Sequence, residues 1–253
     1  MMRNERKTMM PGFLRDRGHE VPWTVRDMVC AGIAALCLIT FGLVVAMGLL
    51  RLLDVTFSDA SLGVRVFLVF SLEILLLPPV WWWGLRKHDR DWRSLGLRPL
   101  PWLLSMALFF LGLGLILVVN FSWELLRRQL GWPGQPDFLP LFGGGIQGLL
   151  LALLLGSMVA PLAEEIFFRG FIYAGLRSRW GTVWGMIASS LVFALAHLSP
   201  SVILPVFLMG VILAFVYAYS GSLWPAIFLH GVMNGMAFVG SYLSSNYPRL
   251  FGM

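Results

Sequence analysis

Glu164, Glu165, Arg169, His197, His230 and Asn234 are the residues of this sequence best equipped for chemistry. They fall in three short patterns: Glu164-Glu165-Ile166-Phe167-Phe168-Arg169, Phe193-Ala194-Leu195-Ala196-His197 and His230-Gly231-Val232-Met233-Asn234. Each pattern interrupts an otherwise apolar stretch. An ionisable group at the centre of a membrane-spanning helix costs roughly 2.5–3.5 kcal/mol even on lenient insertion scales. Two glutamates, an arginine and two histidines therefore need a compensating reason, and a buried catalytic site supplies one.

On a helix, Glu165 and Arg169 are i and i+4, so their side chains can meet. Glu164 points about 100° away and gains no partner from its own helix. One carboxylate is thus neutralised while its neighbour stays free to act as a base, and an apolar surrounding suits a carboxylate to taking a proton from water. His230 and Asn234 are also i and i+4, and neutral donors presented together on one face can stabilise an oxyanion. His19 and His88 belong to a solvated tail and loop. The plainer readings are a Glu–Arg pair tethering two helices and histidines that merely bridge helices by hydrogen bonds.

The elements that must position these groups are membrane helices. Hydrophobic residues make up 58% of the 253-residue chain and charged ones 13%, with a mean hydropathy of +0.79. That composition excludes an ordinary soluble domain. Seven spans are expected, at about 28–50, 62–85, 101–123, 146–176, 182–198, 201–219 and 223–243, close to or above the roughly 17–25 residues a crossing needs. Long apolar runs without alternation exclude a barrel. The expected fold is an all-α polytopic bundle with its catalytic core in the last four spans, about 146–243. It comprises a cytoplasmic tail over 1–27 and one membrane domain over 28–253.

Trp81, Trp82, Trp83, Trp123, Trp180, Trp184 and Trp224 lie at proposed span ends, where an amphipathic ring prefers the interface. Lys and Arg divide fourteen against five between the two faces, the larger group including Arg3, Arg6, Lys7, Arg15, Arg17, Arg26 and the Arg86–Arg98 loop. The positive-inside bias then places the N-terminus in the cytoplasm. The net charge of +6 is topological and faces anionic lipid, so no nucleic-acid partner is expected. The first 27 residues do not read as a cleavable signal peptide. Cys30 and Cys37, about 10 Å apart on one helix, are too distant for a mutual disulfide and read as packing residues.

Counted from the turn near Ser178–Gly181, Glu164 and His197 sit at similar depths of roughly 20–25 Å, and His230 and Asn234 approach from the same side. All four can converge. Phe168 and Phe193 read as packing, as walls against lipid. Glu73, before Pro78-Pro79, either lines a cavity or pairs with Arg65.

Taken together, the patterns EExxxR, FxxxH and HxxxN, in that order on successive spans, resemble the CAAX prenyl endopeptidase and bacteriocin-processing (CPBP, or Abi) family of intramembrane proteases. The likeness covers roughly Leu150 to Gly240 and includes Ala160-Pro161, Arg169-Gly170 and Gly221-Ser222-Leu223-Trp224-Pro225. It implies peptide-bond hydrolysis within the membrane on a protein or peptide substrate. Glu164 and His197 would activate water, His230 and Asn234 would hold the oxyanion, and Glu165 and Arg169 would support the scaffold. That version needs no cofactor. A rival account of the family makes Glu164, His197 and His230 ligands of Zn2+, a three-ligand set with an open position. The short loops have a bacterial style, which suggests a bacterial plasma membrane and makes a prenylated substrate unexpected. Outside proteolysis, a proton-coupled transporter also buries Glu, His and Arg in spans. No paired half-repeats support that reading, and intact motif residues argue against a silent immunity or scaffold protein.

Overall fold

The structure is a computed structural model and describes residues 20–56 and 61–251. The basic tail read from Arg3, Arg6, Lys7, Arg15 and Arg17, together with His19, lies outside the described residues. Every regular element described is helical.

Helix α1 (Val25–Leu52) starts ahead of the expected 28. Thr24 caps it, its side chain accepting from the Asp27 amide while Asp27 accepts from the Thr24 amide, a reciprocal capping box. Asp27 then reaches outward and pairs with Lys87 Nζ at 2.5 Å and His88 Nε2 at 3.2 Å, tying α1 to the loop that follows the second span. Helix α2 (Leu62–Ile74) is shorter than the expected 62–85 span. Pro78 and Pro79 lack the amide donors that a continuous helix needs, and the chain proceeds through a turn at Leu77–Pro79 and a π-helical turn at Val80–Leu85. Helix α3 spans Trp102–Gln129.

The expected fourth and fifth spans form one helical run, α4 (Gly145–Ala196), broken at Gly181. Gly181 sits at φ 81°, ψ 172°, a conformation open to glycine and closed to other residues. The run folds back there. On a straight helix, Phe168 and Phe193 would be about 37 Å apart at 1.5 Å per residue, yet their ring centroids are 5.0 Å apart. The first limb (145–180) carries two π-helical turns, Leu155–Val159 and Ile166–Tyr173, on either side of the glutamate pair. Such turns widen the hydrogen-bond ladder and tend to occur at functional sites. Helices α5 (Ile203–Ser220) and α6 (Trp224–Asn246) complete the bundle.

Among the described residues, five helices are long and apolar enough to cross a membrane: α1, α3, α4, α5 and α6. With α4 folded at Gly181 and 62–85 broken rather than absent, this is compatible with the seven expected spans. Ile33, Leu36, Phe41, Val44, Phe110 and Val118 point outward, a surface suited to lipid. The main core is built by both limbs of α4 against α5 and α6, with Phe171, Phe193, Leu213, Val216 and Leu229 buried. Cys30 and Cys37 are free thiols, and Cys37 is exposed on the apolar face of α1.

Candidate active site

The polar cluster forms where the first limb of α4 meets α6. Glu165 and Arg169 are completely buried, and Arg169 Nη1 donates to Glu165 Oε1 at 2.7 Å, one helical turn apart as their spacing demands. The same Glu165 oxygen receives His230 Nδ1 at 2.9 Å. An ionised carboxylate only accepts, so the proton in that bond belongs to His230 Nδ1. Its Nε2 then faces Glu164 Oε2 at 3.6 Å, beyond direct hydrogen bonding. Glu164 Oε2 is itself buried and has no hydrogen-bond partner among the described residues, while the Glu164 side chain as a whole is 18% exposed. The two adjacent glutamates therefore have different surroundings: Glu165 is held by the Arg169 guanidinium and His230, and Glu164 faces His230 Nε2 without a hydrogen bond.

Asn234 follows His230 by one turn and donates Nδ2 to the carbonyl of Gly156 at 2.9 Å, leaving its second amide hydrogen available. His197 caps the second limb of α4. Its Nδ1 donates to the Phe193 carbonyl at 3.0 Å, which leaves Nε2 as an acceptor. The sequence expectation brought all four residues to one point, but no hydrogen bond or ion pair joins His197 to Glu164. His197 and Asn234 instead share the wall of a cavity of about 530 Å³, with Met209, Met233, Phe238 and the Gln135–Phe138 segment around it. The Glu164–His230 pair adjoins that cavity through the turn shared by His230 and Asn234.

Phe193 does more than wall out lipid. Fully buried, it receives the Arg169 guanidinium over its ring at 4.1 Å, and His197 and His230 each stand edge-on to it, at 4.8 and 5.8 Å between centroids. One aromatic ring thus sets the positions of three polar side chains. Arg169 is held further by the Gly210 carbonyl on α5, at 3.4 Å. Sequence spacing alone could not name these partners, since two of them are backbone oxygens. Glu73 neither lines the cavity nor forms an ion pair with Arg65. It lies on α2, which packs against the Ala160–Glu165 turn.

Among the described residues, no three His, Cys, Asp or Glu side chains gather as a metal-ligand set. Glu164, His197 and His230 are accordingly not gathered closely enough to form a three-ligand zinc set as placed.

A buried Glu–Arg–His network inside an apolar helical bundle defines an integral membrane protein with an intramembrane polar centre. The sequence profile of the type II CAAX prenyl endopeptidase Rce1-like family matches residues 146–236, which contain all six motif residues. An Escherichia coli protein described only as an uncharacterized 24.3 kDa protein is 33% identical over 172 residues, 65% of this chain and 69% of that one. YdiL of Bacillus subtilis, named as a candidate membrane peptidase, is 34% identical over 89 residues, 35% of this chain and 36% of its own length. The UPF0177 protein YxdF of Lactococcus lactis is 26% identical over 164 residues, covering 64% of this chain and 86% of that one. No solved structure matches. The chain belongs to the CPBP family, of which the Rce1-like endopeptidases are part.

Proposed function

We propose that this protein is an intramembrane endopeptidase that hydrolyses peptide bonds of a membrane-associated protein or peptide. The observation that carries the reading is the division of labour between adjacent carboxylates: Glu165 anchored by Arg169 and His230, Glu164 unpaired beside His230 Nε2. A transporter relay strings its ionisable groups along a path, whereas these groups pack into one network.

In the proposed reaction, Glu164 takes a proton from a water molecule whose oxygen adds to the scissile carbonyl carbon. His197 Nε2, free as an acceptor on the cavity wall, orients that water. The tetrahedral oxyanion is held by Asn234 Nδ2 and His230 Nε2. His230 already gives Nδ1–H to Glu165, so it donates to the oxyanion only with both ring nitrogens protonated. Collapse breaks the C–N bond, and the proton held by Glu164 passes to the leaving amine, giving a new carboxylate and a new amino terminus. The mechanism runs without metal. The N-terminus faces the cytoplasm of a bacterial plasma membrane, and membrane lipid surrounds the bundle.

Purified protein tests the reading against a quenched peptide library in detergent micelles. His230→Ala and Asn234→Ala are each expected to slow turnover by roughly 10²–10³-fold, as for a lost oxyanion donor. Chelators should leave wild-type activity unchanged. Stoichiometric zinc that disappears in both His197→Ala and His230→Ala, with chelator inactivation reversed by zinc, would replace this mechanism with a metal-dependent one.

A further inference from the structure

At the end of the bundle that carries the Arg86–Pro99 loop, a second and smaller cavity lies well away from the glutamates. It has a volume of about 80 Å³ and is lined by Arg93, Ser94, Arg98, Arg177, Tyr217 and Gly221, with Val21, Gly96 and Ala174 completing the wall. On the same measure a single water needs roughly 10–15 Å³, so the space takes a group of several heavy atoms. Among the described residues that line it, three are cationic and none is acidic.

The polar groups that could quench these charges are largely committed elsewhere. The Ser94 hydroxyl donates to the Asp91 carbonyl at 2.6 Å, and Tyr217 donates its hydroxyl to the Leu95 carbonyl at 3.0 Å. Arg98 donates Nε to the Gly221 carbonyl at 2.6 Å, which fixes its guanidinium at the rim. Asp27, the nearest buried carboxylate on this face, is consumed by Lys87 and His88. Arg177 is the exception that matters. It is only 9% exposed, lines the cavity, and has no hydrogen-bond or ion-pair partner among the described residues. With Arg93 and Arg98 beside it, like charges gather around one cavity, and an anion held there relieves their mutual repulsion.

We infer that this cavity is an anion site that holds a phosphate oxyanion between Arg177, Arg98 and Arg93. The planar, multidentate guanidinium matches phosphate geometry, and three such groups compensate its charge. The site sits at the mouths of α4, α5 and α6 on the face with the basic loop, where phosphate is supplied by an anionic lipid headgroup or by soluble phosphate. The inference is independent of the proteolytic reading, because no residue of the glutamate centre takes part.

Two probes separate the sources. Inorganic phosphate is titrated into the detergent-purified protein at constant ionic strength, with thermal unfolding as the readout. Retention of phosphatidylglycerol against phosphatidylcholine is measured by native mass spectrometry. Arg177→Gln is expected to weaken the bound species by at least about tenfold, as for a lost charge-assisted contact, and Arg93→Gln to weaken it less. Arg90→Gln, exposed on the same loop but outside the cavity, should bind like the wild type. Saturable stabilisation by phosphate identifies a soluble ligand; selective phosphatidylglycerol retention without it identifies a headgroup. Should Arg177→Gln fail to fold, the exposed Arg93→Gln carries the comparison. Binding that Arg90→Gln weakens as much as Arg93→Gln, or no Arg-dependent binding of either probe, would overturn the site.

Discussion

Glu164 and Glu165 are neighbours in sequence, yet a helix turns about 100° between them, and that step divides their work. Glu165 Oε1 accepts from both Arg169 and His230; Glu164 accepts no hydrogen bond and lies 3.6 Å from His230 Nε2. Glu164→Gln is therefore expected to abolish turnover while the variant folds and melts like the wild type. Arg169→Ala should instead leave Glu165 buried without its cation, at about 3–5 kcal/mol, read as a lower unfolding midpoint and a reduced yield of folded protein. Equal turnover of Glu164→Gln and wild type would remove Glu164 from the chemistry. The Glu165–Arg169 contact was legible in the sequence because it is local, four residues along one helix. The contact of Glu165 with His230 was not, for it depends on the register between helices 65 residues apart. The same holds for Gly156 and Gly210, which contribute only carbonyl oxygens that any residue could supply.

At the scale of elements, close approach between helices makes the site possible. A Cβ at Gly231 would collide with the Ser157 carbonyl oxygen of the facing π-helical turn, so α6 lies directly against α4 at the residue between His230 and Asn234. Small residues at such crossings let backbones meet. Gly231→Val is expected to force the helices apart at a cost of about 1–3 kcal/mol. Turnover should fall by a larger factor than the shift in unfolding midpoint implies, since both His230 and Asn234 move; a variant that loses stability alone would show that the helix spacing is not tuned to the site. The start of the first helix was read at 28, past the Thr24–Asp27 capping box that marks it. The reversal at Gly181 was legible, because the sequence places a turn near Ser178–Gly181 between its fourth and fifth spans and the backbone leaves helical geometry there. The 62–85 segment was read as one span because hydropathy takes no account of amide donors lost at Pro78 and Pro79.

For the whole molecule, the cationic loop, the small arginine-lined cavity and the fold-back at Gly181 share one end, while Gln135–Phe138 covers the larger cavity towards the other. The proposed cytoplasmic N-terminus predicts that single cysteines introduced into a Cys30→Ala, Cys37→Ala background report opposite faces. Asp137→Cys is expected to react with a membrane-impermeant maleimide on intact cells, and Arg90→Cys only after the cells are opened; the reverse pattern would invert the orientation. The central claim is that the glutamate network cuts polypeptides in the membrane. Its most direct test is quantitative sequencing of membrane-associated peptides and new amino termini in cells carrying wild type or Glu164→Gln at equal protein levels. The account predicts a defined set of cleavage products present with the wild type and missing with Glu164→Gln. Identical product sets from both would contradict it.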